Sequence, residues 1–170
     1  MSPIVLPNNA LVLLVGISGA GKTTFAAAHF AAFETLSSDT CRALVADDEN
    51  DQSANRAAFE VLHLILHERL RRGRFTVVDA TNLHSQARQT LRGLASRWRI
   101  PVHVIVLNPG WAVCEERWRT RTDRHFERKV LQRQQDALRS TLEQLPNESY
   151  EAVTVLDSAA SIAAATIVRR

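Results

Sequence analysis

Residues 16–24, GISGAGKTT, place three glycines, a lysine and two threonines directly after the apolar run ALVLLV. Glycine offers nothing to a core and weakens regular structure, so a loop this poor in side chains must act through its backbone. Gly16, Gly21, Lys22 and Thr23 match G-x-x-x-x-G-K-[ST], with a strand-like run before and a helix-like run after. Such a loop turns the amides of Ser18, Gly19, Ala20, Gly21, Lys22, Thr23 and Thr24 toward phosphate oxygens, and the helix that follows adds its positive end. Lys22 is expected at the β- and γ-phosphates of a nucleoside triphosphate, and the Thr23 hydroxyl at Mg²⁺.

Two carboxylates follow at strand ends, Asp39 in ETLSSD and Asp79 in TVVDATN. Open parallel sheets bind ligands beyond the carboxyl ends of their strands. There Asp39 can take the proton of an attacking hydroxyl, a general-base role worth roughly 10²- to 10⁴-fold. Asp79, an aspartate closing an apolar run, has the form of a strand end that holds Mg²⁺ directly or through water. Either residue can equally cap a turn. Ser38 is placed to orient Asp39. Arg42, three residues on, shares a helix face with Asp39 and either grips an anionic group of an acceptor or pairs with Asp39 itself.

Arginine supplies nineteen of the twenty-one basic residues, and it clusters in ERLRRGR (68–74), RWR (97–99) and the stretch from Arg117 to Arg133. Its planar fork of donors suits phosphate. Arg117 and Arg121 are four residues apart, with Arg124 one turn further on. Opposite a phosphate loop they read as a lid that closes over the transferring phosphoryl group, the alternative being a solvated basic face. Trp98, Trp111 and Trp118 either stack a base or serve the core. The run DDEND (47–51) reads as a solvated loop.

These residues need a frame. Strand patterns cover 10–15, 34–39, 75–81, 102–108 and 150–157; helical patterns cover 22–33, 53–72, 84–99, 111–118, 127–145 and the tail from 158. Their alternation predicts one α/β domain over residues 1–170, a five-stranded parallel sheet with helices on both faces. D-x-x-G and N-K-x-D motifs are missing, which excludes a GTPase, and 170 residues are too few for a typical motor ATPase. A small kinase remains. The longest apolar run is six residues (Ala10 to Val15), so no membrane span is expected. MSPIVLPNN lacks the features of a signal peptide, and Cys41 and Cys114 have no zinc-ligand spacing, so the chain is expected to be cytoplasmic with reduced thiols.

Taken together, GISGAGKTTFAAAHF, SSDTCR, DDENDQ, VVDATN and ERWRTRTDR resemble the polynucleotide 5′-hydroxyl kinase domain of bacterial polynucleotide kinase-phosphatases over nearly the whole chain. The resemblance implies a P-loop kinase-type three-layer fold with an arginine-bearing lid at about 115–128. It implies ATP or another NTP as donor, Mg²⁺, and 5′-OH ends of RNA or DNA as acceptor. Asp39 would be the general base, Lys22 and Thr23 would meet the phosphates and Mg²⁺, Arg117 and Arg121 would be lid residues on ATP, and Arg42 would contact the acceptor's phosphate. Larger relatives carry phosphatase and ligase modules. Neither D-x-D-x-T nor K-x-D-G occurs here, so the chain is expected to be a standalone kinase or the first domain of a longer end-repair protein. Trp118 and Arg119 give the lid more bulk and charge than the family pattern. A small-metabolite kinase, of gluconate or nucleoside type, and a non-catalytic nucleotide switch are the rival readings.

Overall fold

A computed structural model describes residues 2–122 and 126–170 of the chain. Among them, strands form two parallel sheets. The smaller joins β1 (Ile4–Leu6) to β7 (Ile167–Arg169), which ties the two ends of the described chain together. The larger contains β2 (Leu11–Val15), β3 (Thr35–Ser37), β4 (Thr76–Asp79), β5 (Val102–Leu107) and β6 (Ala152–Leu156), in the order β3-β4-β2-β5-β6. The expected five-stranded parallel sheet is therefore present, flanked by helices.

Every residue of β2 is fully buried, as a strand covered on both faces must be, and its neighbours set the register. Leu14 lies opposite Asp79 on one side and Ile105 on the other. The chain passes from β2 outward to β3 and then back to β4, before crossing to β5 and β6. The order therefore reverses at β2, and the crevice above its carboxyl end is where such sheets take ligands.

The helices are α1 (Lys22–His29), α2 (Ser38–Ala46), α3 (Asn55–Arg71), α4 (Ser85–Ser96), α5 (Trp111–Thr120), α6 (Arg128–Gln144) and α7 (Ala159–Ala163). In α3 the buried residues Ala58, Leu62, Leu66 and Leu70 recur every four positions, one stripe against the core. It ends at Gly73, whose φ of +63° only glycine adopts freely. Gly73 N–H bonds Leu70 O (2.9 Å) and Arg74 N–H bonds Arg69 O (2.9 Å), the two closing bonds of a Schellman motif. The three tryptophans pack against the core and are not held out as stacking platforms.

Three sequence expectations shift. The helix expected over 22–33 ends at His29, because Phe30 turns to extended backbone and packs near the rings of Phe25 and Phe75. The strand expected over 34–39 stops at Ser37, whose Oγ accepts from Thr40 N–H (3.3 Å) and caps α2. Asp39 therefore stands in the first turn of a helix. The tail expected as one helix is a five-residue helix and then β7, since Ile167 and Val168 are β-branched and pair with β1. The strand β1 itself has no sequence signal beyond three apolar residues. No helix among the described residues is long and apolar enough to cross a membrane.

Candidate functional site

The phosphate-loop motif folds as its glycines require. A Cβ at Gly16 would lie 2.6 Å from Leu107 O, so the ends of β2 and β5 approach each other only because no side chain intervenes. Gly19 (φ +81°) and Gly21 (φ +94°) occupy the left-handed region, and Gly21 forms the N-cap of α1 with no side-chain cap. Uncapped first-turn amides and the helix dipole make this end a site for an anion. Lys22 Nζ donates to Gly16 O (2.9 Å) and Ile17 O (3.0 Å), which folds the ammonium over the loop.

Thr23 and Asp79, each expected from the sequence at Mg²⁺, lie next to each other. Thr23 Oγ1 donates to Asp79 Oδ2 at 2.7 Å, across 56 residues of chain. A hydroxyl that donates its proton to a carboxylate keeps its lone pairs for a cation. Mg²⁺ takes one or two such protein ligands and completes its octahedron with water and substrate phosphate, so this donor pair fits it. Among the described residues no group of three or more His, Cys, Asp and Glu is placed to hold a metal by itself.

The loop after β4 is clipped to the phosphate loop. Gly16 N–H bonds Thr81 O (3.2 Å), and Asn82, at φ +49°, donates from Nδ2 to Leu14 O (2.8 Å). Beneath it lies Arg88, fully buried, which sequence reasoning missed. Its Nη1 donates to Asn82 O (3.0 Å), Leu83 O (2.9 Å) and Thr141 Oγ1 (3.3 Å). Its Nη2 reaches Gln144 Oε1 (3.1 Å) and Glu148 Oε1, and its Nε reaches Glu148 Oε2 (3.1 Å). Burial alone would raise the Glu148 carboxyl, but the bonds from Arg88 and Tyr150 outweigh it and leave its pKa below the ordinary value. A signal for Arg88 existed: it shares a helical face with Leu91 and Ala95, an arginine on an apolar stripe.

Asp39 lines a cavity of about 750 Å³ with Lys22, Thr23 and Asp79. Ser38 lines it too, while the cap of α2 is the residue before it. Arg42 is placed otherwise than expected. It is 6% exposed, donates from Nη1 to Asp39 Oδ1 (2.8 Å) and Glu49 O (2.6 Å) and from Nε to Asn55 Oδ1 (2.9 Å), and does not line the cavity. The pairing with Asp39 is the alternative that the sequence allowed. Arg42 holds that carboxylate from behind and fastens α2 to the loop before α3.

Arg117 and Arg121 both line the cavity. Arg117 Nη1 donates to Gly19 O (2.8 Å), and Arg121 stands one residue past the end of α5. Arg124 lies outside the described residues. The two helices that flank this segment both hold the crest of the phosphate loop, since Gln134 Oε1 on α6 accepts from Ser18 N–H (2.8 Å). They also hold each other: Trp118 Nε1 donates to Phe126 O (3.0 Å), and Arg128 Nε donates to Glu115 Oε1 (2.6 Å). Ala159, Ile162 and Ala163 of α7 add an apolar part to the lining, which no local sequence signal assigned to the site. Burial pushes the Cys114 thiol pKa upward, against the weaker pull of Arg117 and Lys22.

A family model described as an AAA domain (AAA_33) matches residues 11–145. No curated protein matches the chain. Among solved structures, Chaetomium thermophilum Kti12 in complex with ADP-AlF3 is similar at a TM-score of 0.65 and 18% identity, over 90% of this chain and 93% of that one. A gluconokinase from Sinorhizobium meliloti 1021 gives 0.56 and 19%, over 93% and 94%. Mycobacterium tuberculosis APS kinase CysC, in complex with AMPPNP and APS, gives 0.51 and 19%, over 81% and 99%. At these identities the likeness is one of fold.

Proposed function

We propose that this chain, which belongs to the AAA domain family and has a P-loop kinase-like fold, transfers the γ-phosphate of ATP or another NTP to the 5′-hydroxyl end of RNA or DNA. The observation that carries the reading is a single cavity that holds both halves of such a reaction. Lys22, the Thr23–Asp79 pair, the Asp39 carboxylate, Arg117 and Arg121 all line it. A non-catalytic nucleotide switch would not require the Asp39 carboxylate in addition to the Mg²⁺ pair. The arginine-dense rim supports a polyanionic acceptor over a sugar or small metabolite, as does the resemblance of SSDTCR and VVDATN to polynucleotide kinases. Proteins of this fold have been seen with ADP-AlF3 and with AMPPNP, which supports the choice of donor.

In this reading Asp39 Oδ accepts the proton of the 5′-hydroxyl as its oxygen bonds the γ-phosphorus, and the bond to the β,γ-bridging oxygen breaks to release the nucleoside diphosphate. Arg42, bonded to Asp39 Oδ1, fixes the carboxylate's rotamer. Lys22 exchanges the Gly16 and Ile17 carbonyls for phosphate oxygens, and Arg117 does the same from Gly19 O. Mg²⁺, held by Thr23 and Asp79, would neutralise the charge of the β- and γ-phosphates. The test is label transfer from γ-labelled ATP with Mg²⁺, offering a 5′-OH oligonucleotide and gluconate in parallel. Label is expected on the oligonucleotide alone; label confined to the sugar acid would overturn the reading.

A further inference from the structure

The arginine cluster at 68–74, which the phosphate site leaves unused, closes α3 and opens β4. The turn at Gly73 sets Arg72 and Arg74 on either side of it. With Arg69 and Arg169 they line a second cavity of about 780 Å³ at the amino ends of β3 and β4, the end of the sheet opposite the phosphate loop. Two glutamates share the lining, and both are already paired. Arg169 donates to both oxygens of Glu34 (2.7 and 2.5 Å), and Arg71 and Arg72 both bond Glu68. The lining thus sets four guanidinium groups against two carboxylates, an excess of two positive charges. Arg74 has no side-chain hydrogen bond or ion pair among the described residues.

Beside these charges Phe33 is 75% exposed and Leu64 66%. Phe33 leaves most of its ring in water at the edge of a cation-lined cavity, whose inner ring, Phe75, already carries the Arg169 guanidinium 3.7 Å above its centroid. A flat ring flanked by planar donor forks is complementary to a nucleic-acid strand, whose bases have π-faces and whose phosphates accept from arginine. An acidic peptide matches the charges but has no flat face to set on Phe33.

We propose that this basal cavity binds single-stranded nucleic acid, with Phe33 stacking a base and Arg72 and Arg74 contacting phosphates. It goes beyond the reading of the phosphate site and does not rest on which acceptor that site serves. The test is fluorescence anisotropy of a labelled single-stranded oligonucleotide whose 5′ end is already phosphorylated, which removes phosphoryl transfer from the readout. Phe33→Ala, a surface change, is expected to weaken binding at least about fivefold, the low end of the cost of removing a base–aromatic stack. The double variant Arg72→Ala/Arg74→Ala is expected to weaken binding and to flatten the dependence of log affinity on log salt by about 1.4, which is about 0.7 for each of two phosphates no longer neutralised. ATP binding by both variants should match the unsubstituted chain, which shows that the fold is intact. Absence of oligonucleotide binding, or binding that survives both variants in full, overturns the proposal. Polyglutamate that competes as well as an oligonucleotide of equal charge also overturns it, in favour of an acidic protein partner. Transfer to a 5′-hydroxyl end is scored separately, so either reading can fail without the other.

Discussion

Lys22 is one of two lysines in the chain, and the other, Lys129, is engaged with Glu127 at 2.8 Å at the start of α6. No second ammonium can replace it, so Lys22→Ala is expected to reduce label transfer from γ-labelled ATP to background. Asp39→Asn separates chemistry from binding. The amide keeps an oxygen for Arg42 and the shape of the carboxylate, but it cannot take a proton. Calorimetry should show ATP·Mg²⁺ bound about as well as before, while transfer falls by at least about 10²-fold. Loss of ATP·Mg²⁺ affinity in this variant would make Asp39 a metal or structural residue and pass the base role to Asp79. Both residues are legible in the sequence because each follows a strand in a short motif. Gln134 is not, because its partner lies 116 residues away; the apolar stripe of α4 marks Arg88 as buried but does not name its partners, which lie as many as 60 residues away. Arg42 is half legible: a three-residue spacing gives its contact with Asp39, but spacing says nothing of the burial that keeps it out of the cavity lining.

At the scale of elements, the site depends on how firmly the loop after β4 is held. Arg88 does this from α4 by joining that loop to Thr141 and Gln144 on α6 and to Glu148 beyond it. Removing one partner of a buried pair leaves the other charge uncompensated, at a cost of about 3–5 kcal/mol. Arg88→Met should therefore lower the free energy of urea unfolding by about that much. Adding Glu148→Gln should recover part of the loss, because it removes the stranded carboxylate; a double variant no more stable than the single one would place the loss in the carbonyl contacts alone. The inner strands β2, β4 and β5 are readable as apolar runs because burial on both faces leaves polar residues no room. The strands β1 and β7 are three residues each, too short for a pattern, and their pairing is set by chain ends meeting in space. The end of α1 is unreadable for a related reason, since alanines favour helix and it is the aromatic contact of Phe30 that ends it.

For the molecule as a whole, two cavities at opposite ends of one sheet share a core that contains a histidine. His103 lies in β5 between Val12 and Ala152, is buried, and its Nε2 has no hydrogen-bond partner among the described residues. Burial lowers its pKa from the ordinary 6.5, opposed by the weaker pull of Glu151, and burial also lowers His63 and His29. The folded chain thus resists protonation at these sites, whereas the unfolded chain takes up a proton at each as pH falls through 6.5. Stability is then lost below that pH, by at most about 1.4 kcal/mol per pH unit for each histidine. The carboxylates behave in the opposite sense. Glu34, lowered chiefly by its bonds from Arg169, and Glu148 stabilise the fold above their ordinary value of 4.5, and that contribution is lost only as pH drops through their lower folded values. The interval between pH 6.5 and 4.5 therefore reports on histidine. Urea unfolding at pH 7.5, 6.5, 5.5 and 5.0 should show a falling midpoint in the unsubstituted chain. His103→Leu, which keeps an apolar side chain of similar volume in β5, should show a distinctly shallower fall. Equal slopes in the two proteins would mean that the acid-sensitive group is one of the half-buried histidines on α1 or α3, and that the sheet tolerates a proton at its centre.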